Sequence, residues 1–177
     1  MILRALQYYL YQRHHQLPVT KQPDTAPTSG VELPRFMGRW FEMARFETPF
    51  EWGLDAVWAE YVLLPDGSVS ITNHGRKSNG DVCAARGSAT HVSDSILMVS
   101  FVPLFRLFAS PYHILKVDDE YRNALVSNES GSCLWLLSRS PHATLPELLP
   151  LLLAAADRGF NLHSLRPTHH PQGPFLT

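Results

Sequence analysis

Residues 38–46 read GRWFEMARF, a stretch in which polar and apolar residues alternate beside a tryptophan. A two-residue period is typical of a β-strand that buries one face. Alternate residues share a face, which gives the two sets Trp40, Glu42, Ala44 and Phe41, Met43, Arg45. The stretch therefore predicts a strand. By itself it leaves open whether Trp40 is a core aromatic, a surface recognition residue or a fixed closing residue.

The same period continues along the chain in short runs about 8 to 14 residues apart, as in an antiparallel barrel or sandwich. The eight predicted strands cover 39–47, 56–64, 68–75, 82–92, 95–102, 112–118, 122–128 and 133–139. Turn sequences separate several of them, including PDG at 65–67 and SNGD at 78–81, and such sequences favour tight hairpins. Strands that are adjacent in the sequence are therefore expected to be adjacent in the sheet.

The hairpin order of these strands predicts the fold class. Eight antiparallel strands can close into a barrel, which removes the unpaired edges of an open sheet. The interior of such a barrel is either packed solid or holds one small ligand. We therefore predict an all-β protein, built as an eight-stranded antiparallel up-and-down barrel.

A helix is predicted after the last strand. Thr144 and Glu147 stand three residues apart and form a capping box, and Gly159 supplies a C-terminal cap. The predicted helix covers 145–158 and packs outside the barrel. Pro150 is expected to kink this helix or to shift its start.

The pattern along the chain divides it into three parts. Residues 1–30 hold an amphipathic helical segment and a Pro-rich linker. Residues 31–168 form the barrel with its helix, and an extended segment at 161–166 is expected to pair onto the sheet edge. Residues 169–177 are expected to form a flexible tail.

Length and charge narrow the function classes. A chain of 177 residues suits one domain with a continuous core. The formal net charge is -1 and charged residues make up 18% of the chain, so nucleic acid is not an expected partner. The longest apolar run, LLPLLLAAA at 148–156, is about half of the roughly 20 residues that span a bilayer. A soluble or membrane-peripheral protein is therefore expected.

The N-terminal sequence shows no evident secretory signal. The apolar run of residues 1–17 is interrupted by Gln7 and by tyrosines, and no small-residue cleavage site follows it. A location in the cytoplasm or at a membrane surface is therefore expected unless the true start of the protein lies upstream.

The first and last predicted strands meet at one end of the barrel. The first strand runs up and the eighth runs down, so Trp40 and Arg139 arrive at the same end. Arg139 can then stack on the indole as a cation–π pair, with donors left for nearby carbonyls. This pair would close one end of the barrel, which favours the closing role for Trp40.

Three short motifs resemble those of the lipocalin family. They are GRW at 38–40 with the following FEMARF, VDDEYRNALV at 117–126, and LWLLSR at 134–139. All three occur in order at barrel spacing, with the helix after the last strand, and the similarity covers about residues 31–168. Within the family, the chain resembles the bacterial outer-membrane lipocalin and apolipoprotein D group.

The resemblance implies a barrel with an open mouth, a small hydrophobic ligand in its cup, and a base closed by Gly38, Trp40 and Arg139. Ligands associated with this group include fatty acids, lysophospholipids and steroids. Many bacterial members carry a lipid on an N-terminal cysteine, whereas the first cysteine here is Cys83. Lipid anchoring by that route is therefore not expected for this chain.

Strand parity orients the side chains that would line the cup. In the second strand, an inward Glu60 would be costly in an apolar cup, so the face that carries Tyr61 is predicted to point inward. The resemblance agrees, since positions matching Tyr61, Asn73 and Trp135 line the pocket in apolipoprotein D-like proteins. With the fifth and sixth strands included, the predicted ligand-binding residues are Tyr61, Asn73, Phe101, Tyr112 and Trp135.

The predicted function is non-covalent binding, with storage or transport, of a small hydrophobic ligand such as a fatty acid or a lysophospholipid. The protein is predicted not to be an enzyme, with no cofactor and no metal site. The alternative is a lipocalin-fold enzyme or a haem-binding protein that uses a barrel-lining cysteine or histidine.

The cysteines and histidines give this alternative little support. Cys83 and Cys133 belong to opposite walls of the predicted barrel, too far apart for a disulfide, and neither has a base nearby in the sequence. Their role stays open. His74, His91 and His113 lie in predicted strands without a metal-ligand spacing, and His113 alternates with Tyr112, so only one of that pair can face inward.

The predicted partner is the small hydrophobic ligand itself. Peripheral membrane contact is a further possibility through residues 1–17 or through the apolar loop at 102–111, which either covers the cup as a lid or presents a patch. The oligomeric state is not predicted.

Overall fold

Eight antiparallel strands close into a barrel in the computed structural model, which describes residues 22–49, 51–101 and 109–171. Each strand pairs with the next one in the sequence, and the first strand also pairs with the eighth. A ninth, short strand pairs with the first, and one long helix packs against the outside. The predicted fold class is confirmed.

The elements begin and end close to the predicted positions. In chain order they are α1 (Leu33–Phe36), β1 (Gly38–Phe46), β2 (Leu54–Leu63), β3 (Val69–Lys77), β4 (Val82–Ser93), β5 (Ile96–Ser100), β6 (Ser110–Val117), β7 (Asn123–Asn128), β8 (Leu134–Ser138), α2 (Leu145–Asp157), a 3-10 turn (Leu162–Ser164) and β9 (Leu165–Pro167). The sequence did not predict α1 or the 3-10 turn. Within the described residues, no helix is both long and apolar enough to cross a membrane.

Helix α2 is fixed by its first turn and by the apolar face that it buries. The backbone N–H of Thr144 donates to the Glu147 carboxylate at 2.5 Å, as the capping box requires. The helix then continues through Pro150. It packs on outward side chains of five strands, and the shared cluster includes Met43, Leu115, Leu125, Leu134, Leu136, Leu148, Leu151, Leu152, Ala155 and Leu165. The helix therefore covers an outer wall and leaves the interior to a separate cluster.

The lower interior, at the end where Trp40 lies, is packed solid. Inward side chains from all eight strands of the barrel are buried together there, and they include Trp40, Tyr61, Val69, Ile71, Ala89, Leu97, Ile114, Ala124, Val126 and Leu137. Space for a ligand can therefore lie only above this layer.

A β-bulge in β1 changes which side chains face inward. The pairing register with β8 shifts between Glu42 and Ala44, so Met43 is an extra residue in the strand. One extra residue reverses the alternation beyond it. The expectation that Arg45 lies on the face opposite Trp40 is therefore wrong. Arg45 is the cross-strand partner of Trp135 in β8, shares its inward face and is fully buried.

The Pro-rich segment before residue 31 is extended but packs against the barrel. The backbone N–H groups of Asp24 and Thr28 donate to the carbonyls of Arg158 and Ile114, at 2.8 and 2.9 Å. The packed part of the chain therefore begins before the predicted boundary. The helix predicted within residues 1–17 and most of the apolar loop at 102–111 lie outside the described residues.

The chain beyond β9 fills a gap between β1 and β2, which pair with each other only over the first four residues of β1. The Thr168 N–H donates to a β1 carbonyl at 3.0 Å, and the His169 carbonyl accepts from a β2 N–H at 2.8 Å. His170, which the sequence placed in a flexible tail, is buried. The packed domain therefore extends at least to residue 170.

Candidate functional site

The lower end of the barrel is closed by Arg139 stacked on Trp40. The guanidinium carbon of Arg139 lies 3.8 Å from the centroid of the indole, which is 0% exposed. The Arg139 Nη atoms donate to the carbonyls of Met37 and Arg39, each at 2.7 Å. The indole N–H donates to the Phe36 carbonyl at 2.7 Å. The pair therefore ties the end of β8 to α1 and to the start of β1.

Gly38 makes room for this stack. Its φ of +94° lies in the left-handed region that favours glycine, and a Cβ there would come within 3.3 Å of Arg139 Nη1. Any other residue would strain the backbone and crowd the guanidinium.

Three of the predicted ligand-binding residues, Tyr61, Tyr112 and Trp135, form a connected group that we call the aromatic cluster. Tyr61 belongs to the packed floor, and Tyr112 and Trp135 pack against it from above. The hydroxyl oxygens of Tyr61 and Tyr112 lie 3.2 Å apart, and the ring centroids of Tyr112 and Trp135 are 6.1 Å apart. Burial raises the pKa of Tyr61 to about 12, so its hydroxyl stays protonated at neutral pH. The cluster therefore presents apolar ring faces with uncharged hydroxyl tips.

The other two predicted ligand-binding residues lie elsewhere. Asn73 is part of the inner wall opposite Ala85, and its buried Oδ1 has no hydrogen-bond partner in the described part of the chain. Phe101 follows the end of β5 and is 40% exposed. It lies beside Gly87, where a Cβ would come within 2.8 Å of the Phe101 ring. Asn73 thus joins the wall of the site, whereas Phe101 is partly in solvent.

Strand β4 contributes a wall of small side chains. Its inward residues, which lie opposite the inward residues of β3, are Cys83, Ala85, Gly87 and Ala89. Strands β4 and β8 are four strands apart in the closed barrel, so this wall faces Trp135. Ala85 faces inward and is nevertheless exposed, so the interior is open to solvent at this level. We call the space between this wall and the aromatic cluster the cup.

A buried group of charges, the acid–arginine cluster, consists of Glu42, Arg45 and Glu51. Arg45 is 0% exposed, and its Nη1 donates to the Glu42 carboxylate at 2.5 Å. Its Nη2 donates to the Glu51 backbone carbonyl at 2.8 Å and to the Glu47 carboxylate at 3.1 Å. The guanidinium is therefore tied to β1 and to the connection between β1 and β2.

Glu51 extends its carboxylate from the β1–β2 connection to the aromatic cluster. The indole N–H of Trp135 donates to both carboxylate oxygens at 3.3 Å, and the Thr48 hydroxyl donates at 2.8 Å. The residue is 7% exposed, and burial raises the pKa of its carboxyl. An acidic group therefore borders the cup.

Glu42 is enclosed by the C-terminal segment. The Thr168 hydroxyl donates to its carboxylate, and a ring nitrogen of His170 lies 2.8 Å from its backbone carbonyl oxygen. Burial, together with the charge of Glu51, raises the pKa of Glu42 to about 7. This carboxyl therefore changes its protonation state near neutral pH.

Residues 31–170 match a family model described as a lipocalin-like domain. The chain belongs to the lipocalin family. It is 36% identical to the outer membrane lipoprotein Blc of Citrobacter freundii over 139 residues, which are 77% of this chain and 78% of that protein. It is 29% identical to apolipoprotein D of Cavia porcellus over 117 residues, 66% of this chain and 60% of that protein. The predicted family resemblance is confirmed.

A solved structure supports the same fold. Lobster apocrustacyanin A1 matches this lipocalin with a TM-score of 0.66, over 89% of this chain and 94% of that chain. The sequence identity is 16%, so this likeness shows the shared architecture alone.

Two of the strand histidines of this lipocalin, His74 and His113, face away from the cup. His74 stacks on Trp58, with ring centroids 4.6 Å apart, on the outer face of β2 and β3. A ring nitrogen of His113 lies 2.9 Å from the Thr25 carbonyl oxygen outside the barrel, so Tyr112 is the residue that faces inward. Among the residues that the structure describes, no group of three or more His, Cys, Asp or Glu side chains is placed to hold a metal ion.

Both cysteines of this lipocalin are free thiols. Cys83 lies 3.4 Å from the Gly75 carbonyl oxygen, to which it donates. Burial raises the pKa of Cys133, which disfavours the thiolate that nucleophilic chemistry requires. The surroundings of Cys133 therefore do not activate this thiol.

Sequence reasoning missed the acid–arginine cluster. The two-residue period already placed Glu42 on the face of Trp40, which was a signal for an inward carboxylate. The inward position of Arg45 could not be predicted from the alternation of β1, because the bulge interrupts that alternation at Met43. Glu51 lies in a connection without a periodic pattern, so the sequence carried no signal for its inward position.

The ionisation of Glu42 is expected to make the stability of this lipocalin depend on pH. Its pKa is raised from 4.5 to about 7, so between these values the folded state binds a proton that the unfolded state releases. The stability that this proton provides is present at low pH and is lost as the pH rises through 7. Relative to Glu42→Gln, the parent chain should therefore lose about 2 kcal/mol of unfolding free energy between pH 5 and pH 8.

Urea unfolding of both chains at the two pH values measures this difference. Burial lowers the pKa of His170, which shifts stability in the opposite direction at acidic pH, but His170 is present in both chains and its effect cancels. A difference between the chains that does not change with pH would contradict the assigned ionisation.

Proposed function

We propose that this lipocalin binds, and stores or transports, a small hydrophobic ligand such as a fatty acid, a lysophospholipid or a similar lipid in the cup. The observation that carries the proposal is the aromatic cluster facing the small-residue wall of β4 above a solid floor. Ring faces supply apolar contact area, and small wall residues leave space for the ligand. Small hydrophobic ligands are those that the lipocalin family binds.

In this proposal, Tyr61, Tyr112, Trp135 and Asn73 contact the ligand, and Phe101 lies near the opening. The driving force is the burial of apolar ligand surface. At about 25 cal/mol per Å², a ligand that buries about 400 Å² gains about 10 kcal/mol before the costs of association are subtracted. No covalent step is needed, and the raised pKa of Cys133 argues against the thiol enzyme alternative. Membrane contact through residues 1–17 or 102–111 stays a prediction from the sequence.

The intrinsic fluorescence of Trp135 tests this proposal. Titration with oleic acid and with oleoyl lysophosphatidylcholine should give a saturable quench or spectral shift, because a ligand in the cup changes the surroundings of this indole. Trp135→Phe should remove most of the change. Trp58→Phe is the matched control, since Trp58 stacks on His74 outside the barrel, and it should retain the change. A flat titration with both lipids would count against a ligand-binding cup.

A further inference from the structure

We propose that Glu51 sets the ligand selectivity of the cup, so that lipids with an uncharged or cationic polar group are accepted and an ionised carboxylate is disfavoured. This inference rests on the proposed function and specifies the ligand class of the same site. It applies to polar groups that enter the cup, where they meet the Glu51 carboxylate.

The first support is the position of the Glu51 carboxylate. It is held by Trp135, whose ring belongs to the aromatic cluster. Burial is the main cause of the raised pKa of Tyr61, Tyr112 and Cys133, and the negative charge of Glu51 adds to the shift at all three. Tyr61 and Tyr112 belong to β2 and β6, and Cys133 directly precedes β8. The field of Glu51 therefore acts across the cup and not only on its own loop.

The second support is the balance of charge around Arg45. The acid–arginine cluster contains two carboxylates and one guanidinium, so its net charge is negative when both acids are ionised. Arg45 already donates four hydrogen bonds within the protein. The acceptors are the carboxylates of Glu42 and Glu47 and the backbone carbonyls of Glu51 and Leu54. A ligand carboxylate near Glu51 would add a further negative charge beside a carboxylate that is only 7% exposed, and like charges repel more strongly where burial limits screening.

The third support is an unmet hydrogen-bond acceptor on an inward residue. The buried Oδ1 of Asn73 has no donor among the described residues. A hydroxyl or an ammonium group can donate to this oxygen, whereas an ionised carboxylate cannot. An ammonium group would also pair with Glu51. Long-chain alcohols, hydroxylated ring lipids and amines fit this chemistry.

Three ligands with the same 12-carbon chain separate the effect of charge from that of apolar area. Dodecanol, dodecylamine and dodecanoate are titrated into the parent chain at pH 8 by calorimetry, below their aggregation limits. Dodecanol and dodecylamine should bind at least about tenfold more tightly than dodecanoate. This comparison needs no variant, so it stands whether or not a substitution folds.

Glu51→Gln assigns the selectivity to this residue, because glutamine can still accept from Trp135 and Thr48. It should raise the dodecanoate affinity about tenfold and lower the dodecylamine affinity by a similar factor, with dodecanol changed by less than about twofold. Glu60→Gln removes the same charge from the outer wall, where Glu60 pairs with Arg39, and should change none of the three.

The outcomes separate the two claims. If all three ligands bind the parent chain equally, the charge selectivity is wrong while the ligand-binding function stands. If the ligands differ and Glu51→Gln leaves that difference unchanged, the role assigned to Glu51 is wrong, and the ligand-binding function again stands. If none of the three binds, the proposed function fails and the selectivity with it.

Discussion

Replacing Trp40 with alanine is expected to lower the free energy of unfolding by about 4 kcal/mol. The indole is fully buried, lies 4.9 Å from the Phe36 ring and carries the Arg139 guanidinium on its face. Truncation would leave a cavity in a rigid layer and would remove the surface on which Arg139 stacks. Equilibrium unfolding in urea measures the loss.

Two further substitutions make this result specific to the floor of the barrel. Trp52 is 81% exposed, so Trp52→Ala should change stability by less than about 0.5 kcal/mol. Trp40→Phe keeps a ring but loses the hydrogen bond to the Phe36 carbonyl, so it should fall between the two, with a loss of about 2 kcal/mol. Trp40→Ala with no more effect than Trp52→Ala would contradict the closing role of this residue.

The floor and the helix were predictable because their determinants are local or follow from strand direction. In an up-and-down barrel the first and eighth strands run in opposite directions, which brings Arg139 to Trp40. The capping box of α2 needs only Thr144 and Glu147 at the right spacing. Both features are therefore independent of how other distant parts of the chain pack.

The acid–arginine cluster depends on tertiary structure and therefore escaped prediction. The bulge at Met43 is defined by the pairing of β1 with β8, and it decides the direction of Arg45. Glu51 faces inward because Trp135 and Thr48 donate to it, a combination that no local pattern reveals. His170 is buried because the C-terminal segment fills the gap that β1 and β2 leave.

The inner wall was predicted in part. The two-residue alternation predicted which side chains share a face with Tyr61 and with Trp135. This prediction is correct because β2 and β8 keep a regular alternation around these residues. The alternation could not show whether Tyr112 or His113 faces the interior, since either residue is compatible with either side of a strand. The choice becomes clear only from the segment at 22–30, whose Thr25 carbonyl lies against His113 on the outside.

Replacing Ala85 with tryptophan is expected to lower the affinity for hydrophobic ligands at least about tenfold. Ala85 faces into the cup opposite Asn73 and is exposed there, so a bulky ring occupies the space of the ligand without displacing a packed core. Stability should therefore change by less than about 1 kcal/mol. Ala84 is the matched control, because it lies opposite His74 on the outer face of the same strand.

Native mass spectrometry of the parent chain, Ala85→Trp and Ala84→Trp tests the ligand-binding cup most directly. Each delipidated chain is incubated with the same total lipid extract, so the ligand need not be known in advance. We expect one lipid adduct per chain for the parent and for Ala84→Trp, and little or none for Ala85→Trp. No adduct on the parent, or equal adducts on Ala85→Trp and the parent, would contradict it.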